Sequence, residues 1–227
     1  GVQDPWQGIQ EHVDTMKAEH LYRTMLRMDS AQADTVTACG ASRLMLASNN
    51  YLGLLDEPRV KQAAIQAVGE YGTGSGGSRL TTGNLALHEE LEQDLARFKC
   101  TETALLFNTG YMANVGILSA FGVKGTVIFS DELNHASIID GCRLSHAKVV
   151  RYRHNDMQDL EEKLRTIAPE RGLIVADAVF SMDGDLANLP DILRLAHKYH
   201  VLSMVDEAQA TGVIGRTGRG LVEHYGQ

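Results

Sequence analysis

From about residue 103 onward, short apolar runs alternate with segments whose apolar residues recur every three or four positions. Residues 103–107, 126–129, 148–152, 173–176 and 201–205 read as strands, rich in Val, Ile and Leu. Between them, 111–121, 137–144, a stripe of Met157, Leu160, Leu164 and Ile167, and 190–199 read as helices. This alternation restricts the chain to one class, an α/β fold with a mostly parallel sheet and helices on both faces. The last strand ends in Asp206, and a glycine turn follows at Gly212. In such sheets ligands bind at the carboxyl ends of the strands. A carboxylate there requires a partner charge, since burying it unpaired is costly.

The earlier part is organised differently. Apolar positions Ile9, Val13, Met16, Leu21, Met25 and Met28 predict one N-terminal helix over residues 6–28, and 43–47 reads as a short strand. Asn49-Asn-Tyr-Leu-Gly53 is a turn, and Pro58 opens a helix to Tyr71. Residues 72–78 are too glycine-rich for regular structure, and Leu87, Leu91, Leu95 and Phe98 mark the buried face of a further helix. The expected domains are a helical segment with a short strand, 1–48, and a large domain, 49–227.

A net charge of −8 disfavours nucleic acid and anionic membrane as partners. No apolar run approaches the ~20 residues of a membrane span. The charged first twenty residues are neither a signal peptide nor an anchor. Cys39, Cys100 and Cys142 are odd in number and widely spaced, and are expected as reduced, buried or half-buried thiols of a cytoplasmic protein. Gly72–Gly77 matches a dinucleotide fingerprint by letter, but a helix precedes it where a strand is required. His88-Glu-Glu-Leu-Glu92 lacks the second histidine of a zinc helix, and His197 and His200 suit a helix end. No metal site is expected.

Four strand–helix junctions place polar groups at one edge. Asn108-Thr-Gly-Tyr-Met-Ala-Asn114 offers a helix start for an anion, with Gly110 allowing a tight turn. His135 lies in the second junction, Asp177 and Ser181 in the third, and Asp206 in the fourth. Together they suggest one place for a phosphate and another for a cationic ring nitrogen.

Asn-His-Ala-Ser-Ile-Ile-Asp-Gly (134–141), Val-Phe-Ser-Met-Asp-Gly (179–184), Val-Asp-Glu-Ala (205–208) and Gly-x-x-Gly-Arg-Gly (215–220) resemble the α-oxoamine synthases. These are fold type I pyridoxal-phosphate enzymes that join an amino acid to an acyl thioester with loss of carbon dioxide. The resemblance implies that Asp206 pairs with the cofactor's ring nitrogen and that His135 stacks on the ring. Gly110 and Tyr111 would hold its phosphate, and Ser181 would sit near the ring hydroxyl. Asn49 and Ser78 would contact substrate. His135 and Asp206 would be the catalytic pair, in a homodimer acting on acyl-CoA or an acyl-carrier protein. Residues 77–84 and His88–Glu92 point to the member that takes alanine and a pimeloyl thioester, with glycine and an acetyl thioester as the alternative.

Two departures stand out. The family's Schiff-base lysine follows the aspartate, yet none of the residues after Asp206 is lysine. The chain is therefore expected to be the N-terminal portion of a longer one, lacking the C-terminal domain and inactive alone. Gln209 occupies a position where the family has histidine; it can donate a hydrogen bond but cannot titrate near neutrality.

Overall fold

A computed structural model describes residues 4–227. The chain packs as two compact units that divide between Gly74 and Ser75, later in sequence than the 48/49 boundary. The helix from Pro58 is the reason, because it stays in the first unit beside the single helical turn Leu54–Asp56.

In the first unit, α1 spans Gln7–Ala18 and stops well short of residue 28. His20 adopts a left-handed backbone at φ 58°, which ends the helix, and Met28 instead bridges to Ala38. β1 (Thr35–Ala38) and β2 (Ala41–Leu44) form an antiparallel hairpin. Its two-residue loop, Cys39 and Gly40, has positive φ at both positions, the geometry that matches strand twist. The sequence reading missed β1 and placed β2 too late, since Thr-Val-Thr-Ala lies in a polar stretch and the hairpin signal is a Cys-Gly pair. α2 runs Pro58–Tyr71, as expected from its opening proline.

The second unit begins with α3 (Ala86–Lys99) and α4 (Gly110–Phe121), followed by β3 (Thr126–Asp131), α5 (Ala136–Leu144) and β4 (Lys148–Tyr152). Then come α6 (Met157–Ile167), β5 (Arg171–Asp177), α7 (Leu189–Lys198), β6 (Leu202–Asp206) and the short α8 (Leu221–His224). All pairings in the sheet are parallel and its order is β4-β3-β5-β6. Successive side chains of β3 and β5 alternate between two apolar clusters. Val127, Phe129, Ile174 and Ala176 meet α6 and α7 residues such as Leu160, Leu164, Ile192 and Leu195. Ile128, Leu173 and Val175 meet Leu118 of α4 with Ile138 and Cys142 of α5. Helices thus cover both faces. The chain reverses direction across the sheet between β3 and β5, which opens a crevice at their carboxyl ends.

Several expectations need correction. Residues 103–107 join no ladder among the described residues; the Leu106 N–H donates instead to the Glu92 carboxylate, 2.7 Å away. The stripe of α3 is not buried: Leu87, Leu91, Leu95 and Phe98 are 36–42% exposed, and Ala96 is the helix's buried residue. Cys39 and Cys100 are exposed, because each occupies a left-handed turn position; Cys142 alone is buried. Its thiol is pushed up to about 11 by that burial.

Candidate functional site

Three strands end in an acid: Asp131 on β3, Asp177 on β5 and Asp206 on β6. Parallel register sets Asp177 level with Asp206. Facing them is the start of α4, capped by Thr109, whose Oγ1 accepts the Met112 N–H at 3.1 Å. The next residues, Gly110 and Tyr111, are exposed and carry first-turn N–H groups, which lack intrahelical acceptors. Gly110 does not make a tight turn: it is the first residue of α4, with no left-handed backbone. A Cβ added there would meet nothing within 4 Å, so the glycine leaves open room at the helix start. The Tyr111 hydroxyl donates to Asp140 at 2.8 Å, and that bond raises the phenol's pKa.

One turn further along α4 sits Asn114, 5% exposed. Its Nδ2 donates to Asp206 Oδ2 at 2.7 Å and to Ser137 Oγ at 2.9 Å. The other Asp206 oxygen accepts the Ala208 N–H at 2.9 Å, so both carboxylate oxygens are fixed. Gly141 permits this approach: a Cβ there would lie 2.8 Å from Leu118 Cδ1 and 3.1 Å from the Asn114 carbonyl oxygen.

His135 caps α5, its Nδ1 accepting the Ser137 N–H at 3.2 Å and lying 2.7 Å from Ser137 Oγ. With Asn114 donating to that hydroxyl, Ser137 donates onward to Nδ1, which leaves a ring proton on Nε2. The His135 backbone N–H donates to Asp177 Oδ2 at 2.9 Å, and the Asp177 N–H donates to Asn134 Oδ1 at 2.9 Å. Asp206, Asn114, Ser137, His135 and Asp177 therefore form one continuous network. Burial first, then the charge of Asp206, pushes the Asp177 carboxyl up to about 7. The pair carries more negative charge than its surroundings compensate.

The sequence named Asp206, His135, Gly110 and Tyr111, and the structure gathers them at one edge. Ser181 lies exposed in the turn after β5, and Gln209 is half-buried in the turn after β6. Ser78 bonds within its own loop, its carbonyl accepting from Thr81 and Gly83 N–H. Asn49 belongs to the first unit, where its Oδ1 accepts the Tyr51 hydroxyl at 3.2 Å. Asn114 and Ser137 were missed as functional. The signal available was a polar residue one turn into an otherwise apolar helix, aligned with the phosphate-facing end.

Beside Asp206, Glu207 ties down the following loop. Its Oε1 accepts the Leu221 N–H at 2.6 Å and the Val222 N–H at 3.1 Å, and its other oxygen pairs with Lys99. Lys99 Nζ also donates to the Arg219 carbonyl at 2.6 Å and to Thr211 Oγ1 at 3.1 Å. Gly220, at φ 108°, is required here, because a Cβ would come within 2.5 Å of Glu207. Among the described residues there is no His/Cys/Asp/Glu group suited to a metal, and no helix is long and apolar enough to cross a membrane.

Residues 42–227 match the aminotransferase class I and II family. The 8-amino-7-oxononanoate synthase of Geobacter sulfurreducens is 52% identical over 221 residues, 96% of this chain and 56% of that protein. A second such synthase, from Bacillus subtilis, is 51% identical over 224 residues, 98% of this chain and 57% of that one. Serine palmitoyltransferase from S. paucimobilis, solved with pyridoxal phosphate bound, superposes with a TM-score of 0.90 at 34% identity, over 99% of this chain and 58% of that one. The chain spans a little over half the length of the relatives it matches.

Proposed function

The chain belongs to the aminotransferase class I and II family, whose solved relatives hold pyridoxal phosphate, and on that premise we propose that it is the cofactor-cradling part of an 8-amino-7-oxononanoate synthase. That α-oxoamine synthase would condense L-alanine with a pimeloyl thioester, on coenzyme A or a carrier protein, in biotin synthesis. The observation that carries the reading is the Asp206 carboxylate, fixed by Asn114 and Ala208 beside a second acid, Asp177. Such a pair calls for a cation, and a protonated pyridine nitrogen supplies one. The exposed start of α4 likewise suits a phosphate dianion. The residues fit the cofactor.

Pyridoxal phosphate, when bound, supplies an electron sink for the bonds of the amino acid's α-carbon. Asp206 keeps the proton on the ring nitrogen, and Asn114 keeps Asp206 aimed. His135 would stack on the ring, oriented by Ser137 and Asp177. The Gly110 and Tyr111 N–H groups hold the phosphate, while Ser181 and the Gln209 amide address the ring oxygen. Asn49 and Ser78 contact substrate. The protein is a cytoplasmic homodimer in this reading.

Serine palmitoyltransferase is the second reading, favoured by the TM-score of 0.90 but set back by 34% identity against 52% for the Geobacter synthase. The test is product formation by the protein. Alanine with a pimeloyl thioester should be preferred over glycine with an acetyl thioester and over serine with a palmitoyl thioester. Preference for either alternative pair overturns the assignment. Gln209→His should raise turnover, and unchanged kinetics would remove Gln209 from the site. The 227-residue chain alone should bind pyridoxal phosphate without borohydride trapping at any one lysine.

A further inference from the structure

A second polar knot stands at the same edge of the sheet, outside the Asp206 network. Just beyond β4, His154 and Asn155 each bond to two other elements. His154 Nδ1 lies 3.0 Å from Asp131 Oδ1, and Nε2 lies 2.8 Å from Asp185 Oδ2. The ring also meets Phe180 edge-on, with centroids 4.4 Å apart. Asn155 donates its backbone N–H to Asp131 Oδ2 and its Nδ2 to the Leu186 carbonyl, each at 2.8 Å. Its Oδ1 accepts the Asn188 N–H at 2.8 Å. These bonds grip residues 185–188, the far limb of the excursion that follows β5. The rest of that excursion closes on itself: Phe180 N–H donates to the Asp185 carbonyl at 3.0 Å, and Gly184 N–H to the Phe180 carbonyl at 2.7 Å. Ser181 rides on this turn.

The two carboxylates around His154 are unequal. Asp131 is 2% exposed and also accepts the N–H groups of Leu133 and Asn155. Asp185 has one oxygen on His154, while the other is buried with no partner among the described residues. An imidazole that bridges two carboxylates must carry a proton on both nitrogens, whereas the neutral ring carries one.

We propose that His154 is a positioning residue: as an imidazolium it ties Asp185 to Asp131 and holds the Ser181 turn at the sheet edge, and on losing a proton to solvent it releases the Asp185 end. The neutral ring keeps its proton on Nδ1, toward the more deeply buried Asp131. Its Nε2 lone pair then confronts the Asp185 carboxylate, acceptor against acceptor. Asp131 on β3 and Asp185 on the turn are the charged groups at the ring, with Phe180 packed beside them; Glu132 accepts the His154 backbone N–H. Burial works against the charge on His154, but the hydrogen bonds and charges of the two aspartates outweigh it and raise the ring's pKa. A raised pKa makes the clamp complete below the ordinary histidine range and loses it as pH climbs through the raised value. Any consequence for the cofactor rests on the role proposed above for Ser181.

The experiment is hydrogen exchange of the segment 178–188 in the protein carrying its cofactor, corrected for the intrinsic pH dependence of exchange. Wild-type protection should fall about tenfold between roughly pH 6 and pH 9, the loss of one charge-assisted bond. Asp185→Asn should show no fall, since its amide can donate to the neutral ring. His154→Gln should be about tenfold less protected at the acid end and flat across the range. Equal wild-type protection at both ends, or an unchanged fall in Asp185→Asn, overturns the clamp; should His154→Gln not fold, Asp185→Asn decides alone. Pyridoxal phosphate affinity should track protection in the wild type and stay level in Asp185→Asn. If protection shifts while affinity does not, the clamp stands and Ser181 loses its place in the cofactor site.

Discussion

The ground beneath α7 and the carboxyl edge of the sheet are both buried, by opposite means. Under α7 the buried side chains are Leu189, Ile192 and Leu195, each at 1% exposure or less. At the edge they are Asn114, Ser130, Asp131, Asn134, Ser137 and Asp177, each at 5% or less and each hydrogen-bonded. Apolar contact is non-directional, so the α7 side needs only volume and pattern. The polar side needs every donor matched to its acceptor, because an orphaned one costs more than the bond was worth. The edge accepts that demand and in return fixes the position of each group.

Substitutions can break or sharpen this contrast. The largest effect is expected from Leu195→Ala, about 2–5 kcal/mol of stability by chemical denaturation, with cofactor affinity unchanged once folded. Asn114→Ala comes next, because it removes one donor from two edge partners, Asp206 and Ser137: it should lose roughly 1–3 kcal/mol and also weaken pyridoxal phosphate binding. A stability loss without weaker binding would confine Asn114 to packing. Asp177 gives a pH signature. Its folded carboxyl keeps a proton up to about 7, whereas the unfolded chain releases its own near the ordinary carboxylate value. Stability without cofactor should therefore fall as pH rises from about 4 to about 7 and level off above. Asp177→Asn should flatten that slope, its Oδ1 still accepting from His135. Gly110→Ala should change stability least, by under about 1 kcal/mol and toward greater stability. It should still lower cofactor affinity, since the new methyl enters the space at the helix start; titration calorimetry separates the two effects.

The α7 side was far more legible in the sequence than the edge. The α6 stripe packs inward, with Leu160 and Leu164 buried and Met157 and Ile167 half-buried, α7 read as a helix, and β5 read as an unbroken apolar run because both its faces are covered. Periodicity marks a stripe, however, and not what covers it. The same spacing in Leu87, Leu91, Leu95 and Phe98 gives a face that is over one-third exposed. Residues 103–107 show the converse, apolar enough for a strand but joining no ladder among the described residues. At the edge, the junctions could be read, as could the positions of His135, Asp177 and Asp206, but not that of Asp131. The bridges made by Asn114 and Ser137 could not, since they depend on how closely Gly141 lets α4 approach α5.

The Lys99–Glu207 pair has a consequence for the order of assembly. Its partners are 108 residues apart in the chain, so the contact closes a loop that contains all four strands of the parallel sheet. Closing a flexible loop of that length would cost about 4 kcal/mol in chain entropy, which the ordered sheet has already met by the time the pair can form. The segment from Ala210 to α8 is thus expected to fasten after the sheet is complete. Lys99→Ala should accordingly speed unfolding several-fold in stopped-flow measurements and leave the folding rate nearly unchanged. An equal slowing of folding would move the pair into the nucleus.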